Sequence, residues 1–247
     1  MTDMDEDHRR ERSLLVSVLM YAYSAMLWFV LPRRRYLAPS EVPELAGFEA
    51  AWESIRTEYD ALHDGAVPAI QHVERAQQRL THDDRWRMYL LALYGVRAER
   101  NLDACPTTAV LLRDRPAIVT AFFSVLEPGK VLPVHPGPLK GVLRCHLALQ
   151  VPAGDVGLRV GSEVRRWEEG RLLVFDDTYL HTAWNHGDEP RVVLFMDVVR
   201  PMPWLWLDEV NRKVIARLGT TRRVRAAVER AEQFSAASRA SGPGGAR

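Results

Sequence analysis

The sequence is poor in cysteine and has almost no excess of charge of either sign. Of its 247 residues only Cys105 and Cys145 are cysteines, and both lie in apolar surroundings. Two such thiols argue against the disulfide framework of a small secreted fold and fit a reducing compartment. The net charge is only +1. A dedicated nucleic-acid binder carries a strong basic excess, so we expect no nucleic-acid partner.

One long uncharged stretch is present near the N-terminus. Residues 14–31 read LLVSVLMYAYSAMLWFVL. A helix of this length spans roughly 27 Å, close to the ~30 Å hydrocarbon core of a bilayer. Flanking arginines, and Trp28 near one end, favour a membrane-associated or transmembrane helix. The alternative is a buried or interfacial helix of the main domain. The charged residues 1–13 are predicted to be disordered.

The remainder of the chain divides by the period of its apolar residues. Residues 36–116 are predicted to form a helical scaffold segment, because apolar side chains within residues 41–64 recur at spacings of four and three. Residues 117–203 contain short β-branched and alternating runs with turns between them, which indicate an all-β sandwich or barrel. Residues 204–235 are predicted to form a C-terminal helix. Residues 236–247 are rich in Ser and Gly and are predicted to be a disordered tail.

The run LRCHLALQV places polar and apolar residues on opposite faces of a strand. Arg144 and His146 point to one side, while Leu143, Cys145 and Leu147 point to the other. In an ordinary sandwich the polar side faces solvent. In a small barrel with a cavity, the same pair would form an anion site, because the planar guanidinium can bind both oxygens of a carboxylate. The pattern leaves both interpretations open.

Two histidines follow apolar strands in turn-like settings. His135 lies in VHPGP, and His181 lies in FDDTYLHTAWN. Imidazoles at the mouth of a barrel are natural metal ligands, although a single histidine is more often structural. Arg191 begins the next strand, ten residues after His181. It is therefore placed to hold the distal carboxylate of a chelating co-substrate.

As a set, these motifs resemble the aspartyl/asparaginyl β-hydroxylase family of iron(II)- and 2-oxoglutarate-dependent dioxygenases. The resembling segments are FFSVLEPGKVLPVHPGP, RCHLAL, RRWEEGRLLVFDDTYLHTAWN and RVVLFMDVVRP, within residues 85–203. Upstream, YLAPSEVPELAGFEAAWESIRTEYDALH is similar to the corresponding segment of bacterial lipid A 2-hydroxylases. The resemblance implies a mainly β fold: a double-stranded β-helix (jelly-roll, cupin-like) barrel with flanking α-helices and the apolar N-terminal helix.

The resemblance also implies roles for individual residues. His135 and His181 match the two iron-binding histidines, which makes them the catalytic metal ligands. Arg191 matches the arginine that pairs with the distal carboxylate of 2-oxoglutarate, and Ser124 matches a serine that hydrogen-bonds the same carboxylate. The implied cofactor and co-substrates are Fe(II), 2-oxoglutarate and O2.

Two further features bear on the metal and its co-substrate. Arg144 and His146 match the family's R-x-H pair near the metal-chelating end of 2-oxoglutarate. Most non-haem iron oxygenases add a carboxylate to the two histidines, but its usual position is Gly137 here. The resemblance places Asp there in lipid A hydroxylases, and Gly with a water in animal protein hydroxylases. Asp176 and Asp177 are candidate replacements, although we favour a structural role for both.

The sequence leaves several substrates open. The apolar N-terminal stretch, the run Arg33–Arg35 and the pair Trp204 and Trp206 beside a basic helix favour a lipid acyl chain at a membrane. Gly137 favours an Asp or Asn side chain of a peptide or protein. Minor alternatives are a halogenase and a non-catalytic binding module on the same barrel. We expect the protein at the cytoplasmic face of the membrane or, alternatively, in the cytoplasm, where 2-oxoglutarate and ferrous iron are available.

Overall fold

Two antiparallel β-sheets form the centre of the molecule. The computed structural model describes residue 18 and residues 20–62 and 66–241. The strands in these ranges are β1 (Tyr36–Leu37), β2 (Trp86–Leu93), β3 (Val96–Arg97), β4 (Ile118–Leu126), β5 (Lys130–Val131), β6 (Val142–Gln150), β7 (Val156–Val160), β8 (Glu163–Arg165), β9 (Leu172–Phe175), β10 (His181–Asn185) and β11 (Arg191–Val199).

The connectivity of the strands is that of a jelly roll. The large sheet has the order β1-β9-β6-β11-β4-β2-β3, and the small sheet has the order β5-β10-β7-β8. From β4 to β11 the chain passes back and forth between the two sheets, which is the double Greek-key winding of jelly rolls and cupins. The predicted mainly β barrel is therefore confirmed, and β1, β2 and β3 widen its large sheet.

Helices cover the outer side of the large sheet, and further helices precede and follow the strands along the chain. They are α1 (helical over residues 20–30), α2 (Trp52–Asp60), α3 (Ile70–Val73), α4 (Glu99–Leu102), α5 (Pro106–Arg113), α6 (Leu205–Gly219) and α7 (Arg222–Ser241). Ile55 of α2 and Leu112 of α5 pack with Leu147 and Leu194 of the sheet in an outer core. The opposite face of the same strands points between the two sheets, where the site lies.

Helix α1 contains only part of the predicted apolar helix. Residues 14–17 and 19 lie outside the described residues, as do residues 1–13 with their predicted disorder. Leu27 and Leu31 of α1 are buried against Leu207 of α6. Among the described helices, none combines the length and hydropathy needed to span a bilayer. One face of α1 is thus part of the packed domain.

Residues 36–116, predicted to form a helical scaffold segment, contain strands as well as helices. This segment contributes β2 and β3 to the large sheet, as well as the short β1. The run WRMYLLAL of β2 is almost entirely buried. A strand buried on both faces is apolar throughout and lacks the alternation by which strands are recognised. The extended conformation of β2 is stabilised by its pairing with β4.

The C-terminal prediction also needs correction. The helix predicted over residues 204–235 is two helices, α6 and α7, separated at Thr220 and Thr221. The hydroxyls of these threonines donate to the carbonyls of Arg217 and Leu218, which satisfies the end of α6. Residues 236–241 of the predicted tail belong to α7, because alanines there continue a helix already held by its packing. Residues 242–247 lie outside the described part.

Candidate active site

The period of two along the strands brings the predicted polar residues onto the inner face of the barrel. On β11, Arg191 faces the same side as Phe195, and this side points toward the small sheet. Ser124 of β4 pairs with Val193 of β11, and His146 of β6 pairs with Phe195 of β11. Ser124, His146 and Arg191 are all buried. The polar face of β6 therefore lines the interior of the barrel rather than the solvent.

The two candidate metal ligands stand side by side at the mouth of the barrel. His135 and His181 form an isolated antiparallel bridge, with reciprocal backbone hydrogen bonds of 3.1 and 3.0 Å. Their ring centroids are 4.3 Å apart. Each Nδ1 contacts a backbone carbonyl, that of Pro133 at 2.7 Å and that of Tyr179 at 2.9 Å. These contacts fix Nδ1 as the protonated nitrogen, which places the lone pair of each ring on Nε2, the arrangement found in metal-binding histidines.

Burial keeps both imidazoles neutral. It lowers the pKa of His181 to about 3, with the neighbouring His135 as a second cause. Burial also lowers the pKa of His135. A neutral imidazole offers a lone pair to a metal, so this pair fits a divalent ion as two of its ligands. No cluster of three His, Cys, Asp or Glu side chains suited to a metal occurs among the described residues.

The space that a side chain at position 137 would take is filled by Asp177. A Cβ built on Gly137 would lie 1.9 Å from Asp177 Oδ2, and the Gly137 amide donates to the Asp177 carbonyl at 2.7 Å. Asp177 is 1% exposed, and its Oδ1 has no hydrogen-bond partner. A side chain at position 137 and the present position of Asp177 are therefore mutually exclusive.

Burial raises the pKa of Asp177 to about 6, against about 3.9 in an unfolded chain. Because the folded form holds its proton more tightly, folding is favoured as pH falls from about 6 toward about 4 and is penalised above that window.

We expect Asp177→Asn to stabilise the metal-free protein at pH 8 by on the order of 2 kcal/mol, with the gain vanishing near pH 4. Denaturant unfolding across this pH range measures it. A variant less stable at every pH would show instead that the Asp177–Arg144 ion pair dominates.

Arg191 is a buried cation that forms no ion pair with any residue in the described part of the chain. It is 2% exposed, and its Nε and Nη1 have no hydrogen-bond partner. The guanidinium carbon lies 4.7 Å from the ring centre of Trp167. Burial lowers the pKa of Arg191 to about 9, which still leaves it charged at neutral pH. Burying an uncompensated charge is costly, and an anion bound beside Arg191 would offset that cost.

Two tryptophans complete the anion pocket. Trp86 Nε1 donates to Ser124 Oγ at 3.1 Å, and Trp167 Nε1 donates to His146 Nδ1 at 3.3 Å. The second bond fixes the tautomer of His146, so its proton is on Nε2, which is buried and unpartnered. Burial, followed by the charge of Arg191, lowers the pKa of His146 well below its usual value. A neutral N–H donor therefore joins Arg191 in the cavity.

Arg144 already has two carboxylate partners. Its guanidinium lies 2.9 Å from Asp177 and 3.0 Å from Asp197, and it stacks 4.4 Å from the centre of the Phe195 ring. These two carboxylates compensate the charge of Arg144, whereas Arg191 has no carboxylate partner among the described residues. The predicted contact of Arg144 with 2-oxoglutarate stays a prediction, and the structure gives Arg144 a second task of holding Asp177 beside Gly137.

A buried ionic cluster supports the segment that carries His181. Asp176 binds Lys140 at 2.6 Å and also contacts Arg200 at 2.5 Å, and all three side chains are buried. The ammonium of Lys140 lies 3.6 Å from the ring centre of Trp28, whose edge packs on Tyr179 at 4.7 Å. The Tyr179 carbonyl orients His181. Helix α1 thus braces a candidate metal ligand.

We expect Trp28→Ala to weaken metal binding by about tenfold, the effect of losing an outer support of a metal-binding histidine. Calorimetric titration of the metal-free protein with Mn(II) measures this affinity. Phe29→Ala is the matched control, because Phe29 is the next residue of α1 and is 86% exposed. Equal affinities in the two variants would show that α1 does not support the site.

The sequence did not identify Trp86, Trp167 or Lys140 as parts of the site. Trp167 lies in a segment that carries the family resemblance but has no role assigned to it there, and Trp86 lies in the segment predicted to be helical. A usable signal is that an indole N–H needs a hydrogen-bond partner when buried. Lys140 carries no local signal, since its partner Asp176 is distant in sequence.

The fold and these residues define a class: jelly-roll barrels with a histidine pair at the mouth and an anion pocket inside. The model of the aspartyl/asparaginyl beta-hydroxylase family matches residues 49–201. The chain belongs to this family.

The names of individual relatives refer to different hydroxylase substrates. The chain is 42% identical over 164 residues to the ornithine lipid ester-linked acyl 2-hydroxylase of Rhizobium tropici, covering 65% of this chain and 58% of the relative. It is 40% identical over 162 residues to human aspartate beta-hydroxylase domain-containing protein 2, covering 62% and 43%. This chain thus spans about half the length of these relatives.

A solved structure is also similar. The cupin domain of Cnp3 from Schizosaccharomyces pombe matches at 14% identity with a TM-score of 0.35, covering 54% of this chain and 74% of that one.

Proposed function

We propose that this protein is an iron(II)- and 2-oxoglutarate-dependent dioxygenase that hydroxylates a lipid acyl chain. The observation that carries the proposal is the pairing of two features in one cavity. Two neutral imidazoles with their lone pairs on Nε2 lie at the mouth, and inside lies a guanidinium that forms no ion pair with any described residue. A metal that needs few protein ligands and a co-substrate with a distal carboxylate fit these two features together.

Each residue has a task in this proposal. His135 and His181 would hold the iron through Nε2. Arg191 and Ser124 would bind the distal carboxylate of 2-oxoglutarate, since Arg191 is the buried cation that lacks an anion. His146 would donate its free Nε2–H to the co-substrate. Iron(II), 2-oxoglutarate and oxygen together supply the power to hydroxylate an unactivated C–H bond, with succinate and carbon dioxide as co-products.

The protein must also keep the reaction dry and oriented. The inner walls are apolar and aromatic: Phe122 and Phe195 stack at 4.1 Å, and Phe175 packs against His146. A dry, low-dielectric wall strengthens the charge interaction of Arg191 with a carboxylate. The contacts of Tyr179 and Pro133 hold the two imidazoles in one tautomer and one orientation.

Two observations favour a lipid substrate. The relative at 42% identity is named as an ornithine lipid acyl 2-hydroxylase. The rim of the site is apolar: Val134 and Leu180, which directly precede the two histidines, are 51% and 57% exposed. An acyl chain gains by contact with such a rim, whereas a charged substrate does not.

The second candidate substrate is an Asp or Asn side chain of a peptide or protein. Gly137 favours it through the resemblance described above, and the human relative is named as an aspartate beta-hydroxylase domain protein. The two minor alternatives have less support. Asp177 fills the room beside Gly137 that a halide would need. A non-catalytic module has no use for an anion pocket next to a histidine pair.

Mass spectrometry of lipids separates the two substrates. Lipid extracts of cells expressing the wild-type protein should contain species heavier by one oxygen, absent with Arg191→Met. The same purified protein should release no succinate with an Asp-containing peptide. Peptide oxidation with an unchanged lipid profile would transfer the proposal to the second candidate.

A further inference from the structure

We propose that the outer side of α1 and the first turn of α6 form a docking face for an anionic lipid bilayer. The docking face consists of Tyr21, Ala22, Ala25, Met26, Phe29, Trp204, Leu205 and Trp206. The inference rests on the proposed lipid hydroxylase function and names the surface through which its substrate would arrive.

The outer side of α1 is apolar where a soluble helix is polar. All five of its docking-face residues are exposed, and Phe29 is 86% exposed. Tyr21 is the only one with a hydrogen-bonding side chain. The inner side, with Leu27 and Leu31, is buried against α6. A helix that is apolar on every side is normally enclosed by protein or lipid. The outer side of α1 has no such apolar environment around it in the described structure.

The first turn of α6 extends the same surface. Leu205 is 92% exposed, and Trp204 and Trp206 are 50% and 62% exposed with their rings stacked 6.0 Å apart. Leu207, the next residue, packs against Leu27 of α1, which brings the turn beside that helix. Contiguous apolar patches of this kind mark interaction surfaces.

A bilayer fits this face better than a protein does. Protein interfaces carry about one hydrogen bond per 100–200 Å², and the outer side of α1 offers a single hydroxyl. Indoles are favoured at the level of lipid head groups. Arg33, just beyond α1, is exposed and forms no ion pair with any described residue, so it can meet an anionic head group. The sequence that precedes α1 is also uncharged from Leu14 onward.

The docking face is linked to the site by α1 itself. Trp28, on the inner side, packs on Tyr179, two residues before His181. Leu180, the residue between them, is exposed at the rim. Docking through the outer side of α1 would therefore hold the apolar rim next to the membrane, where an acyl chain can enter without crossing water.

Flotation of the metal-free full chain with vesicles tests the docking face. The vesicles contain phosphatidylcholine, alone or with phosphatidylglycerol. We expect the wild-type protein to float with both and more strongly with the anionic lipid. Phe29→Asp and Trp206→Asp, made separately, should each reduce flotation at least about tenfold. Val110→Asp is the matched control, because Val110 is 57% exposed on α5, away from α1.

A second measurement avoids the risk that an added charge unfolds the protein. Brominated phosphatidylcholine should quench tryptophan fluorescence in the wild-type protein and quench it less in Trp204→Phe/Trp206→Phe. Wild-type protein that never floats, variants that float like the wild type, or quenching unaffected by the double substitution would overturn the proposal. So would an apolar contact between two copies, seen as a dimer that Phe29→Asp dissociates and that does not bind vesicles.

The outcomes also separate docking from catalysis. Vesicle binding without lipid oxidation would support the docking face and contradict the lipid substrate. Oxidation of detergent-dispersed lipid by a protein that does not bind vesicles would support the proposed function and overturn the docking face.

Discussion

Replacing Arg191 by methionine should stabilise the protein and abolish its use of 2-oxoglutarate. The wild-type side chain is 2% exposed, and two of its nitrogens have no hydrogen-bond partner. Removing an unpaired buried charge should raise the free energy of unfolding of the ligand-free protein by about 1–3 kcal/mol. The same change removes the partner of a desolvated carboxylate, so affinity for 2-oxoglutarate should fall at least about 100-fold.

Thermal unfolding with and without 2-oxoglutarate measures both effects at once. Saturating 2-oxoglutarate with Mn(II) should raise the unfolding temperature of the wild-type protein, and the gain should be lost in Arg191→Met. Arg166→Met is the control, because Arg166 is an arginine with a 62% exposed side chain in an ion pair with Asp155. An Arg191→Met variant that keeps its ligand-induced stabilisation would place the carboxylate site elsewhere.

Replacing His181 by alanine should eliminate both metal binding and turnover. His181 lies at the mouth beside His135, with its lone pair on Nε2, and no group of three metal-ligating side chains occurs among the described residues. Losing one of two protein ligands should weaken Mn(II) binding by more than about 100-fold, since even an outer supporting contact is worth about 10–100-fold. Succinate formation should fall below detection.

His186→Ala controls for the loss of any imidazole in this region. His186 follows β10 and has a 51% exposed side chain paired with Asp155. Its removal should leave Mn(II) affinity and succinate formation unchanged. Metal affinity preserved in His181→Ala, or lost equally in His186→Ala, would be incompatible with the ligands assigned here.

The strands that were predicted correctly can each be recognised from a pattern within their own sequence. Strands β4, β6, β9 and β11 carry β-branched or alternating residues, and a period of two is visible without knowledge of a partner strand. The alternation in β6 also placed Arg144 and His146 on one side correctly. Strand β2 was missed because burial on both faces removes the alternation.

The parts of the site that were missed depend on pairing between distant segments. The bridge between His135 and His181 requires the loop after β5 to meet the start of β10. The position of Asp177 in the space beside Gly137 follows from the same pairing, and the support of Tyr179 by Trp28 requires α1 to pack against the segment before β10. No local pattern encodes such contacts, because each is a distance between residues that are far apart along the chain.

The sequence by itself determined which residue types are available: two histidines, an arginine at a strand start, and an uncharged segment ahead of them. Periodicity also fixed which faces of the strands these side chains share. The tertiary structure decided which charges are compensated. Arg144 meets two carboxylates while Arg191 meets none. The physical reason is that the free energy of a charge depends on its burial and its neighbours, and the closure of two sheets around a cavity sets both.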